Sequence, residues 1–151
     1  MKKLLVLILA AAAVFVGYRV LFSGGPKKVF TEFCDCWGAN QLDKAWTFSV
    51  KEEVTADFKG KTLNEVGRFM IESIMGINTT IDTSTSGPGP GEKSYSGITL
   101  ILFNPPGVTS ALNASMFLKV RVEGTLRKTP DGWKVVAFKP AFLEMGELKR
   151  N

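Results

Sequence analysis

Histidine is absent from this 151-residue chain, and cysteine occurs only twice, as Cys34 and Cys36. The lack of histidine removes the commonest general base and metal ligand, and with it every serine–histidine or cysteine–histidine nucleophile. Two cysteines cannot complete a four-cysteine zinc site in one chain. The expectation is a chain with no metal centre and no cofactor. On a helix, residues two apart are rotated by about 200°, so the Cβ atoms of Cys34 and Cys36 diverge and no disulfide between them is expected. The plain reading is two small buried hydrophobes, with a bond from Cys34 to a partner chain as the alternative.

A basic stripe is missing too, although the net charge is +5. Residues 1–25 hold Lys2, Lys3 and Arg19 and no acid, which leaves sixteen basic and fourteen acidic residues in the other 126, a net +2. Nucleic-acid binding needs clustered positive charge, and none survives this subtraction. No nucleic-acid partner is expected.

What the chain does have is one long apolar run. Lys2 and Lys3 precede thirteen uninterrupted apolar residues, 4–16, and a second short run ends at Phe22 before Ser23-Gly24-Gly25-Pro26. Residues 4–22 would span roughly 28 Å as a helix at about 1.5 Å per residue, close to a bilayer core of about 30 Å. The positive-inside rule places the lysines in the cytoplasm, and Arg19 beside Tyr18 can snorkel at the far interface. Residues 1–25 are therefore read as a single-pass inner or plasma membrane anchor, with residues 26–151 extracytoplasmic. The alternative is a signal segment that is cleaved to release a secreted domain.

Residues 26–151 suffice for one compact domain. Pro26 suits a first helical position, because its missing N–H has no partner there anyway. Val29, Phe30, Phe33, Cys36 and Trp37 then recur at helical spacing, and Gly38 ends the segment. Asn40 is placed as the cap of a second helix carrying Leu42, Ala45, Trp46 and Val50. Thr62-Leu63-Asn64-Glu65 fits a capping box opening a third helix with Val66, Met70 and Ile74, stopped by Gly76. Beyond Gly76 the period becomes two. Strands are expected over 79–86, 95–103, 115–128 and 133–139, with Pro130-Asp131-Gly132 turning between the last two. The Ser/Gly/Pro segment 84–91 reads as a loop. The fold class is α+β: an N-terminal transmembrane helix, then about three helices packed on a curved antiparallel sheet of about four strands.

An opening amphipathic helix, Gly38-Ala39-Asn40-Gln41-Leu42-Asp43-Lys44-Ala45-Trp46, a meander, and the closing Asp131-Gly132-Trp133-Lys134-Val135-Val136 together resemble the nuclear transport factor 2-like superfamily. The resemblance covers about residues 26–140. It implies a cone-shaped domain, and that superfamily hosts isomerases, dehydratases, transport factors, secretion-system subunits and membrane-anchored domains without assigned roles. Fold therefore leaves function open. The isomerase-like members use carboxylates and a tyrosine aimed into the cone. The corresponding candidates here are Asp35, Asp82 and Tyr95, yet Asp35 falls opposite Phe33 towards water, Asp82 reads as solvent-facing, and Trp37 stands where a tyrosine would be wanted. No catalytic residue is assigned.

Two sites follow. Trp37, Trp46, Tyr95 and Phe103 could line a ligand cavity, although such residues also simply fill a core. Alternation places Phe117, Lys119 and Arg121 on the outer sheet face, and beside them Val136 and Phe138 if Trp133, Val135 and Ala137 point inward. That apolar outer face with a charged rim is read as a homodimer or envelope-partner surface. The alternative is that Phe142, Leu143, Met145 and Leu148 fold back as a tail and cover it. The function expected is a membrane-anchored, envelope-facing binding or interaction domain without catalysis. A ketosteroid-isomerase-like or dehydratase-like enzyme acting on a small apolar substrate is the alternative.

Overall fold

A computed structural model describes residues 24–57, 73–104 and 115–148. Three helices, α1 (Pro26–Gly38), α2 (Leu42–Thr47) and α3 (Lys51–Asp57), precede four strands, β1 (Ser73–Ser86), β2 (Glu92–Asn104), β3 (Ser115–Thr129) and β4 (Gly132–Leu148). The strands form one antiparallel sheet in the order β1-β2-β3-β4. This is the expected α+β layout, helices first and an antiparallel meander after.

Helix α1 begins at Pro26 and buries Val29, Phe30, Phe33, Cys34, Cys36, Trp37 and Gly38. It lies across the inner face of the sheet. Near its start Phe30 fills the space over Gly124, where any Cβ would collide with the ring. At its end Gly38 sits against Ile77, Thr99 and Ile101, at 3.3–3.5 Å from where its Cβ would be. Beneath that end the buried Thr79 and Thr99 satisfy each other through a 2.9 Å hydrogen bond. Asn40, expected to cap α2, instead takes a left-handed backbone (φ 59°) that helps to end α1, and Gln41 stands at the cap position.

Residues 42–50 do not form one helix. The chain leaves α2 at Thr47, and Phe48–Val50 then runs beside the edge of β4. Val135 N donates to Phe48 O (2.8 Å) and Val50 N to Val135 O (2.9 Å). A strand edge is thereby covered where the sequence offers only a continuing apolar period, and α3 follows as a separate short helix. The third helix expected from Thr62 falls largely on residues outside the described ones. Its last residues, Ile74 and Gly76, belong to β1, which starts six residues earlier than expected.

Register irregularities account for the remaining differences. Thr125 pairs with Ala137 while Leu126 pairs with Val135, so Val136 is an extra residue that shifts side-chain parity along β4. Trp133 and Val135 point inward as alternation requires. Past the bulge Phe138, not Ala137, takes the inner side, opposite Gly124. Phe138 is 0% exposed, and its ring lies 4.9 Å from Phe33, 5.1 Å from Trp37 and 6.5 Å from Phe30. Its placement on the outer face is therefore corrected. Val136 is 7% exposed and buried at the bulge, and it too is withdrawn as a surface residue. Nor is there a tail that folds back, because β4 continues to Leu148, paired with β3 throughout. A second extra residue, Leu143, keeps Phe142 and Met145 opposite Val120 and Leu118, on the inner parity but 53% and 51% exposed.

Phe138→Ala should lower unfolding free energy by about 3–5 kcal/mol in chemical denaturation, the range for a large aromatic removed from a packed core. Phe138→Asp should prevent folding altogether, not merely association. A loss below about 1 kcal/mol for the alanine variant would place the ring outside the core.

Candidate functional site

Packing α1 and α2 over the first residues of β1 leaves a groove of about 690 Å³ along one side of α1. Glu32, Asp35, Cys36 and Ala39 recur at three- and four-residue spacing and present one helix side to it. Lys44 and Phe48 close one wall, and Ile74 to Ile77 of β1 form the apolar other. Lys28 reaches Glu32 at 3.9 Å, an exposed i,i+4 pair worth a few tenths of a kcal/mol. Asp35 differs from its neighbours. Its Oδ1 is shielded from solvent and accepts no hydrogen bond. A buried acceptor left unmet costs about 1–3 kcal/mol. The expectation that Asp35 faces water is thus corrected for this oxygen, the residue as a whole being half-buried. Sequence periodicity reads the polar stripe Glu32–Asp35–Ala39 as a solvated face, because nothing local announces that β1 returns alongside it.

The thiols flank this carboxylate. Burial pushes the Cys34 thiol well above its ordinary value, and the charge of Asp35 adds to the shift. Cys36 is raised first by burial, opposed by Lys44 and reinforced by Asp35 and Glu32. Both are free and buried. Neither has the electropositive, low-pKa setting of a nucleophilic or redox cysteine. Among the described residues no three His, Cys, Asp or Glu side chains converge as metal ligands.

The four aromatic candidates do not meet in one cavity. Trp37 packs edge-on to Phe138, Tyr95 stacks on Phe30 with centroids 6.1 Å apart, and Phe103 is buried towards the far end of β2. Trp46 is half-buried at the rim with Lys51 Nζ 5.2 Å above its ring. The space between α1 and the sheet is filled by Phe30, Phe33, Trp37, Tyr95 and Phe138.

On the outer face the structure does bring together Phe117, Lys119 and Arg121. Lys119 pairs with Glu144 at 3.6 Å, and Arg121 donates to Ser96 Oγ (3.0 Å) and approaches Asp82 at 3.9 Å. Phe117 lies over Gly146, its ring atoms 2.9 Å from where a Cβ would stand. Leu102 is its register partner on β2, an apolar neighbour on the same face. Among the described residues no helix is long and apolar enough to cross a membrane. The anchor expected over 4–22 lies outside the described residues.

No protein-family model and no curated protein matches the chain. Among solved structures it is similar to an NTF2-like (nuclear transport factor 2-like) protein with a cystatin-like fold from Novosphingobium aromaticivorans. The two share 13% identity over 90% of this chain and 88% of that one, with a TM-score of 0.45.

Because folding holds both thiols protonated above their ordinary value of 9.0, stability should be flat below about pH 8. It should fall as the pH rises past the unfolded thiol value, since the unfolded state then releases protons that the folded state retains. Denaturant titrations between pH 7 and 10 on wild type and Cys34→Ala check this, and an equally steep alkaline loss in the alanine variant would contradict it. Iodoacetamide at neutral pH should leave Cys34 unmodified in the native protein and label both cysteines once it is unfolded without reductant.

Proposed function

We propose that this chain is a membrane-anchored, extracytoplasmic domain of the nuclear transport factor 2-like kind that binds a partner or a small ligand without chemistry. The apolar residues 4–22 behind Lys2 and Lys3 support the anchor and its orientation. The observation that carries the binding reading is the filled interior. The rings of Phe30, Phe33 and Trp37 lie 4.9–6.5 Å from that of Phe138, between α1 and the sheet, where a reaction chamber would have to be. The lateral groove offers a ligand apolar lining from Phe48, Ile74 and Ile77 beside the polar groups of Glu32, Asp35 and Lys44. Self-association or an envelope partner would use the outer sheet face through Phe117, Lys119 and Arg121.

A second reading, an isomerase-like enzyme on a small apolar substrate, is favoured by one feature, the shielded and unpartnered Oδ1 of Asp35. In that case Asp35 would take a proton from the substrate. With no histidine in the chain, a second acid would have to come from Glu32 or a lysine of the same groove.

The neutral apolar dye N-phenyl-1-naphthylamine should bind the full chain, and Ala39→Trp, which fills the groove, should weaken it by about tenfold or more. Turnover of a Δ5-ketosteroid that disappears in Asp35→Asn would replace the binding reading with the enzymatic one. After an alkaline carbonate wash the protein should stay with the membrane fraction, and its release there would contradict the anchor.

A further inference from the structure

We propose that the outer face of the sheet, at the end where β1 turns into β2, carries a trough that binds a neutral saccharide chain. The site is separate from the lateral groove, on the opposite side of the sheet. Its floor is two rungs of the register. Thr85, Ser94 and Thr125 lie side by side across β1, β2 and β3, and Thr83, Ser96 and Glu123 form the next rung. Strands lie about 4.8 Å apart and same-face residues about 6.7 Å apart along a strand, so the hydroxyls form a grid on the scale of one hexose ring. They line a hollow of about 380 Å³. Past Pro88, Thr125 and Ala137 it runs on into a second hollow of about 390 Å³ that reaches Arg127 and Glu53.

Serine and threonine on a solvent-facing strand are ordinary. What distinguishes this surface is that its wall is built. The turn bearing Pro88 is clamped by Glu92, whose backbone bonds Gly87 N (2.9 Å) and whose Oε2 accepts from Gly89 N (2.9 Å). That carboxylate is only 8% exposed, and Arg127 holds its other oxygen at 2.9 Å while also bonding Glu53 of α3 at 2.9 Å. A side chain at Gly87 would run into the Cβ and backbone of Glu92, and one at Gly89 would displace its carboxylate. Bulges at Asp82 and Val136 border the same rungs on both flanking strands, and such extra residues increase local twist and re-aim strand faces.

Charge narrows the ligand. Arg127 is enclosed between two carboxylates, and Glu123 and Lys139 are register partners of opposite sign. These groups sum to −1, so an anion gains no net attraction, and each carboxylate a cation would seek already stands beside Arg127 or opposite Lys139. The hydroxyls offer both donors and acceptors. Ser94 and Thr125 bond each other at 3.0 Å and retain spare capacity, and Thr83 and Thr85 bond no protein group among the described residues. An uncharged, hydroxyl-rich molecule fits that inventory.

Isothermal titration of the full chain with maltotriose, cellotriose and chitotriose at millimolar concentrations tests this. At least one should bind, and Thr125→Leu should weaken it about tenfold or more, the loss expected when one or two hydrogen bonds and the floor shape go. Ala39→Trp, in the other groove, should leave that binding unchanged. Should Thr125→Leu not fold, Thr85→Leu on the edge strand gives the same readout. No heat with any of the three, or binding lost in Ala39→Trp yet intact in the leucine variant, would overturn the proposal. Since neither site shares a residue with the other, failure here leaves the lateral groove standing.

Discussion

Three aromatic side chains of α1 close around the ring of Phe138, two of them edge-on within about 5 Å. Edge-to-face pairs add about 0.5–1.5 kcal/mol each beyond the area they bury, and the ring itself contributes a full aromatic burial. This contact decides where α1 lies. It requires Gly124 on the neighbouring strand, because Phe30 occupies the volume any side chain there would need. It also requires the extra residue Val136, without which Phe138 would point away from the helices. One backbone irregularity in β4 thus seats the first helix, and the seated helix leaves the lateral groove open along its polar side.

The same parity logic separates the two faces of the sheet. Inward residues are Ile77, Thr99, Leu118, Val122 and Phe138, and the outer set includes Thr85, Ser94, Thr125, Phe117 and Arg121. Asp35 is the one carboxylate oxygen among the described residues that folding shields without giving it a donor. Glu92, its side chain 8% exposed, is satisfied twice over and acts as a fixed strut.

Periodicity made the element types legible. The buried side of α1, the alternation in β2 and β3, and the Pro130-Asp131-Gly132 turn, with Gly132 at φ 110°, could all be read from residue types alone. Those signals are local. The bulge at Val136 is not, since it depends on which residue of β3 stands opposite. A strict period of two therefore exchanged Ala137 with Phe138 and gave an outer face more apolar than the real one. The break after Thr47 was hidden for a related reason, because Phe48–Val50 is drawn out of helix by the open edge at Val135. Asp35 was hidden by distance in sequence, because the groove it lines is completed by β1, some forty residues on.

Phe138 faces α1 because β4 carries an extra residue at Val136. Nuclear Overhauser contacts of the Phe138 ring test it most directly. Strong cross-peaks to the rings of Phe33 and Trp37, with the Ala137 methyl seen near Thr125, are the predicted pattern. Cross-peaks from the Phe138 ring to the outer-face side chains of Thr125 and Lys139, with none to α1, would contradict the account.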